Sequence, residues 1–178
     1  MALLAEEIVE EWLNRQGYFT IRGIKMGVHE IDLLAVKSVK NEKVECRHIE
    51  VQASMRPVSY ISRVPKKDQK AGRAANSAKR SDQELIQGVV EWVETKFHRP
   101  DKKALMTRLW KGDWSSELVV NVVKSEEEVG LIARHGIRIL RLNEIVSSLA
   151  REHFVISSAS GADVVDLIHM GSHVQGSA

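Results

Sequence analysis

Two acidic residues stand where acids are costly. Asp32 interrupts the apolar stretch Ile31-Asp32-Leu33-Leu34-Ala35, and Glu50 sits in Ile49-Glu50-Val51-Gln52. A carboxylate inside a buried strand is destabilising unless it is paired or bound to a metal. Two of them on neighbouring strands repel, and a divalent cation between them removes the repulsion. Side chains alternate along a strand, so His48, Glu50 and Gln52 share a face. Asp32, Glu50 and the backbone carbonyl of Val51 would then offer oxygen donors of the kind that suits Mg²⁺ or Mn²⁺.

The surrounding periodicities say what positions these groups. Leu4, Ile8, Val9, Trp12 and Leu13 share one half of a helical wheel and Glu7, Glu10 and Asn14 the other, which predicts an amphipathic helix over Leu3 to Gln16. Glu6 falls at the boundary of its two faces. Gly17 occupies the C-cap position, where a left-handed conformation is needed. Strands are predicted at Tyr18 to Ile21, His29 to Val36 and Val44 to Ala53. They are separated by a glycine-containing connection from Gly23 to Gly27 and a charged turn from Lys37 to Lys43. Three short strands joined by turns form an antiparallel meander.

Further along, Ser81 and Glu84 make a capping box. It opens a helix with Leu85, Ile86, Val89, Val90, Val93 and Phe97 at helical spacing. The continuous apolar run from Glu117 to Val123 reads as a strand buried on both faces. Ser125 and Glu128 form a second capping box, Gly136 ends that helix, and Ile137 to Leu142 is a strand joined to its predecessor by a parallel crossover. A helix over Glu144 to Arg151, a short strand Phe154-Val155-Ile156 and a helix over Asp163 to Ile168 complete the pattern. The expectation is a mixed α/β fold in one domain over residues 1–170, with a disordered Gly/Ser/Gln-rich tail at 171–178.

Size and composition agree with that reading. The 178 residues, 43% hydrophobic and 28% charged, suit a single globular domain with its own core. No apolar run is long enough to span a bilayer, and the first residues lack the features of a signal peptide. With Cys46 as its one cysteine, the chain is expected in a reducing cytoplasm. The net charge of +2 hides an asymmetry. Between residues 56 and 80 the bases Arg56, Arg63, Lys66, Lys67, Lys70, Arg73, Lys79 and Arg80 face one acid, Asp68. That segment carries +7 and the remainder −5. It is either a solvated surface or a track for a polyanion.

Together, Glu6, the hairpin Gly27-Val28-His29-Glu30-Ile31-Asp32-Leu33-Leu34-Ala35 and the strand His48-Ile49-Glu50-Val51-Gln52 resemble the PD-(D/E)XK nuclease superfamily. The likeness is to its Mrr-like and Holliday-junction-resolvase-like branches, in which a glutamate on the first helix stands eleven residues before a Gly-aromatic pair, as Glu6 does before Gly17-Tyr18. The resemblance implies a restriction-endonuclease-like αβββαβ core and a metal-dependent DNA endonuclease. Glu6, Asp32, Glu50 and Gln52 would be its catalytic residues, and Asp32, Glu50 and Val51 its Mg²⁺ or Mn²⁺ ligands. The basic segment would track the phosphate backbone, and a homodimer would supply the two sites that cutting both strands needs. The chain departs from the family at Gln52, where the motif has lysine. Glutamine orients water by hydrogen bonding but carries no charge, so either the metal or a migrated base must do more, and Lys66, Lys67 and Lys70 are the candidates to reach back.

Two rivals share the scaffold: a nucleic-acid-binding module that does not cut, and an enzyme acting on RNA. Other residues read more simply. His29, His48 and Cys46 are strand residues, Glu30 a solvated strand-end acid, and Glu10 lies deeper on the polar helix face than Glu6. Trp110 and Trp114 pack beside a strand. Glu94-Thr95-Lys96 and Pro100-Asp101-Lys102-Lys103 imitate the acid–lysine motif outside its strand context.

Overall fold

The computed structural model describes residues 2–40, 43–54, 59–151 and 153–174. The protein is an α/β fold built on a five-stranded mixed sheet of order β1-β2-β3-β4-β5, flanked by helices. Helix α1 (Ala2–Arg15) is followed by β1 (Phe19–Met26), β2 (His29–Ser38) and β3 (Val44–Gln52), which pair antiparallel as the meander requires. β4 (Trp114–Val120) lies parallel to β3, and β5 (Arg138–Arg141) parallel to β4. The helices between are α2 (Lys66–Lys70), α3 (Asp82–Lys96), α4 (Pro100–Leu109) and α5 (Glu126–Arg134). α6 (Leu142–Arg151) and α7 (Ala162–Val174) end the chain.

Strand alternation divides the core between two layers. On one face Leu33, Ala35, Ile49, Val51 and Val119 pack under α1, α6 and α7. On the other, Leu118 and Val120 meet Val89, Val93 and Phe97 beside Ile132 of α5, and Leu34 meets Met106 of α4. Among the described residues no helix is long and apolar enough to cross a membrane.

Several expectations are corrected. The polar stretch after Ile21 does not leave the sheet: β1 continues through Gly23 to Met26, pairing Ile24 with Ile31 and Met26 with His29. The turn shrinks to Gly27-Val28, with Gly27 at φ 63°, the positive φ that short hairpin turns demand. No strand forms at Phe154-Val155-Ile156. This stretch lies outside the sheet, its Ile156 N–H donating 3.0 Å to the Arg15 carbonyl at the end of α1. Helix α4 is an addition to the expected pattern, because Pro100 and a run of charges mask its short apolar stripe of Leu105, Met106 and Leu109. The first capping box is complete at Ser81 and Glu84. The second is half made: Ser125 accepts from the Glu128 N–H, but the Glu128 carboxylate turns away to the amides of Ile61 and Ser62. Finally, α7 runs on to Val174, past the expected start of a tail at 171; residues 175–178 lie outside those described.

Candidate active site

The ladder between β2 and β3 runs from Ser38↔Val44 to Leu33↔Ile49 and stops there. Beyond it the Val51 N–H donates to Asp32 Oδ2 at 2.8 Å, so a side chain takes over where backbone pairing ends. The alternation of β2 also breaks at this point, since Leu33 belongs to the core under α1 and Ile31 to the core under α4. Across the sheet Gly23 carries a φ of 70° between the pairs Arg22↔Leu33 and Ile24↔Ile31. A glycine of that conformation inside a strand marks an irregular, tightly bent stretch. The strands part where Asp32 enters.

Glu50 is fully buried, yet it has three polar partners. Its Oε1 accepts from Lys102 Nζ at 2.6 Å and pairs with His48 Nε2 at 3.0 Å, and its Oε2 accepts from Lys96 Nζ at 2.6 Å. Lys102 also donates to the Lys96 carbonyl at 2.9 Å, closing the C-terminal end of α3 where a cation is favoured. The contact with a carboxylate puts the histidine proton on Nε2. Nδ1 is then a buried acceptor without a partner among the described residues. The His48 ring leans on Phe97 with centroids 5.0 Å apart.

The two acids titrate in opposite senses. Burial and the nearby Glu50 charge push Asp32 up to about 6, against the pull of Lys96 and the Val51 N–H. Burial also pushes Glu50 up, but the His48 hydrogen bond, Lys96 and Lys102 outweigh it and hold the group at about 2. Burial holds His48 below the usual histidine range, so it is neutral near pH 7. Burial pulls Lys96 down, and the charges of Glu50 and Asp32 more than reverse it, so Lys96 is a firm cation and not a base.

Glu6 stands apart from this pair. It is half-buried on α1, raised by burial and by Glu30, and it reaches Asp32 only through its charge. Among the described residues no three His, Cys, Asp or Glu side chains are gathered closely enough to cage a metal. The oxygen donors for a divalent ion are therefore Asp32, whose Oδ1 has no hydrogen-bond partner among the described residues, Glu50 Oε2 and the Val51 carbonyl. They fit such an ion on one condition, that Lys96 releases Glu50. Its side chain is 25% exposed and can swing outward, whereas Lys102, at 1%, cannot.

No protein-family model and no curated protein matches the chain. A solved structure described as a protein of unknown function, AF1548, is similar to it, with 14% identity over 84% of this chain and 67% of that one and a TM-score of 0.46.

Beside the acids lies a cleft of about 600 Å³, lined by Gln52, His29 and Lys96 together with Arg63, Lys66 and Trp92. This locates the basic segment. Arg63 and Lys66 line the cleft, and Lys67, Lys70 and Lys79 are exposed. Arg73 and Arg80 are engaged by groups of the protein itself, Arg73 at the surface. Arg73 forks onto Glu84 at 2.7 and 3.1 Å, and Arg80 binds the Ser62 carbonyl and hydroxyl while lying 4.2 Å from the Tyr60 ring. Arg56 lies outside the described residues.

The minor candidates fall away from the site. Glu10 takes hydrogen bonds from Thr20 and Arg22, Glu30 pairs with Lys25, and Cys46 is buried. Trp114 pairs with Cys46 at the far end of β3 from Gln52, its indole N–H on the Trp110 carbonyl. The residues missed from sequence are Lys96 and Lys102, and both had a signal. Lys96 continues the stripe of Leu85, Val89 and Val93, and Lys102 that of Leu105, Met106 and Leu109. A lysine on an apolar helix stripe needs a buried anion.

Proposed function

We propose that the protein is a metal-dependent phosphodiesterase of the PD-(D/E)XK nuclease type, acting on DNA, with Lys96 supplying the charge that Gln52 lacks. The observation that carries this reading is the Lys96 ammonium on Glu50, beside Asp32 and at the edge of a basic-lined cleft. A bound Mg²⁺ or Mn²⁺ would supply Lewis acidity and a more acidic water. Asp32, Glu50 and the Val51 carbonyl would hold it.

The chain's own groups do the rest. Gln52 hydrogen-bonds and orients water at the cleft wall. Once Lys96 leaves Glu50, its ammonium faces the cleft and stabilises negative charge gathering on a phosphate oxygen. Lys102 stays behind as the fixed counter-ion that keeps Glu50 ionised, while Arg63 and Lys66 hold the flanking phosphates. Glu6 adds negative charge on the far side of Asp32 and raises the site's affinity for a cation.

One observation favours the module that binds without cutting: two ammonium groups already occupy Glu50, where a metal ion would have to bind. Calorimetry with Mn²⁺ separates the two. The nuclease reading expects binding by the wild type that Asp32→Ala abolishes and Lys96→Ala strengthens, since the competing cation is gone. No heat with wild type or with Lys96→Ala would defeat it.

A further inference from the structure

The far wall of the cleft is a built surface and not a loose basic loop. Residues 61–66 are fastened at three separate points. The Glu128 carboxylate at the start of α5 accepts from the Ile61 and Ser62 amides at 2.6 and 2.8 Å. Arg80 grips the Ser62 carbonyl at 2.8 Å. From α3, Glu91 accepts from the Lys66 N–H at 3.0 Å. The segment also lies directly on Gly88 of α3, where a Cβ would come within 2.5 Å of the Arg63 carbonyl. Such fastening fixes the shape of the cleft in advance, which lowers the cost of ordering it around a ligand.

The lining of that shape is mixed. Trp92, Ile61, Val64 and Val28 give it an apolar part, while Arg63, Lys66, Lys96, Gln52 and His29 give it a cationic and hydrogen-bonding part. The Trp92 ring rests edge-on against Phe97, centroids 5.8 Å apart, and its indole N–H has no partner among the described residues. The outer surface of a duplex offers phosphates and sugars, so an apolar wall behind the lysines has no role in gripping it. An unpaired nucleotide offers both a phosphate and the face of a base. Bases stack on tryptophan without regard to sequence, and a volume of about 600 Å³ lies in the range of roughly 300–1,000 Å³ that encloses a small organic molecule.

We infer that the cleft receives unpaired nucleotides, so that the substrate is a single strand, an overhang or a flap and not an intact duplex. The base lies against Trp92 and Ile61, and the phosphate on its Gln52 side meets Lys96. This rests on the reading of the site as one for nucleic acid, and it names the strand state that the site accepts.

Binding in EDTA tests it without requiring any cleavage. The full chain is titrated with a dU₁₂ oligonucleotide, with rU₁₂ and with a blunt 12-base-pair duplex at one salt concentration, following tryptophan fluorescence. The single strands should bind at least ~10-fold tighter than the duplex, with quenching that disappears in Trp92→Phe, a variant that keeps the packing on Phe97. Arg63→Ala, at an exposed position, should weaken the single strands ~3–10-fold with no change in the quench per bound strand, as removal of one phosphate-neutralising charge predicts. The tighter of dU₁₂ and rU₁₂ identifies the sugar, and either result supports an unpaired strand. Duplex binding as tight as the single strands, or a quench unchanged in Trp92→Phe, overturns the inference. A wild type that binds dU₁₂ this way yet cuts nothing with Mg²⁺ or Mn²⁺ leaves it standing and removes the nuclease. One that cuts intact duplex as fast as single strand does the reverse.

Discussion

Strand β3 carries two buried charge clusters, one on each face of the sheet, and they are built differently. On the α1 side Arg47 forks onto Glu117 at 2.9 and 2.5 Å, Ser115 adds a hydroxyl at 3.1 Å, and the guanidinium lies 5.2 Å from the Trp12 ring and 5.1 Å from that of Tyr18. One cation meets one anion, the geometry is bidentate, and rings close it off. On the other side Glu50 holds two ammonium groups and a neutral histidine, Asp32 crowds it, and one of the ammoniums borders a cleft. A self-contained pair of the first kind fixes strand register and layer contacts. In the second cluster each charge is balanced only through its neighbours, and Asp32 is held far from its ordinary titration range. Such perturbation beside a cleft is what the proposed chemistry would use.

The largest effects should come from opening each cluster in turn. Glu117→Gln and Glu50→Gln both leave buried cations uncompensated, and each should cost about 3–5 kcal/mol in urea unfolding at pH 7. Metal binding then separates the two: Glu117→Gln should keep it in whatever fraction stays folded, and Glu50→Gln should lose it. If Glu50→Gln proves nearly neutral for stability, the two-lysine cluster is not formed as described.

Next in size is a pH effect that only the Glu50 cluster has. The raised Asp32 group binds its proton more tightly folded than unfolded, so stability falls as pH rises from about 4 through about 6. Glu50, held at about 2, stabilises above its ordinary value and loses that contribution as pH falls through it. In metal-free buffer Asp32→Asn should therefore stabilise the protein by about 3 kcal/mol at pH 8 and by almost nothing at pH 4. An equal gain at both values would show that burial and Glu50 do not hold Asp32 where the geometry places it.

Smaller still is the surface contribution. Reversing Lys66, Lys67 and Lys70 to glutamate should leave unfolding unchanged. It should lower the salt slope of DNA binding by about one for each phosphate no longer neutralised, equally for unrelated sequences. The matching reversal of Arg73 should act through stability instead, because Arg73 is engaged with Glu84.

What the sequence disclosed follows from where the physics is local. The amphipathic α1, the hairpin, the β3 acids and the Ser81 capping box are all short-range patterns, and they led to Asp32, Glu50 and the sheet they stand in. The lysine partners of Glu50 were hidden because they come from 46 and 52 residues further on, across a helix end whose packing decides which lysine points inward. The same distance hid the role of Glu128, which periodicity reads as a capping residue and tertiary structure turns into the anchor of the cleft wall. The expected strand at Phe154 failed for a related reason: a run of three apolar residues fits a strand, a helix cap or a core plug equally well, and only its neighbours choose.

In the proposed mechanism the Glu50 cluster works on phosphodiesters through Lys96. Cleavage of a labelled single-stranded and flapped DNA in Mg²⁺ or Mn²⁺, compared between wild type, Lys96→Ala and Gln52→Ala, tests it most directly. Removing the ammonium should lower the single-turnover rate by ~10²–10⁴-fold with DNA affinity within a few-fold of wild type, and Gln52→Lys should restore part of the rate to the Lys96→Ala background. A wild type that cuts no substrate with either metal, or a rate that Lys96→Ala leaves unchanged, would contradict it.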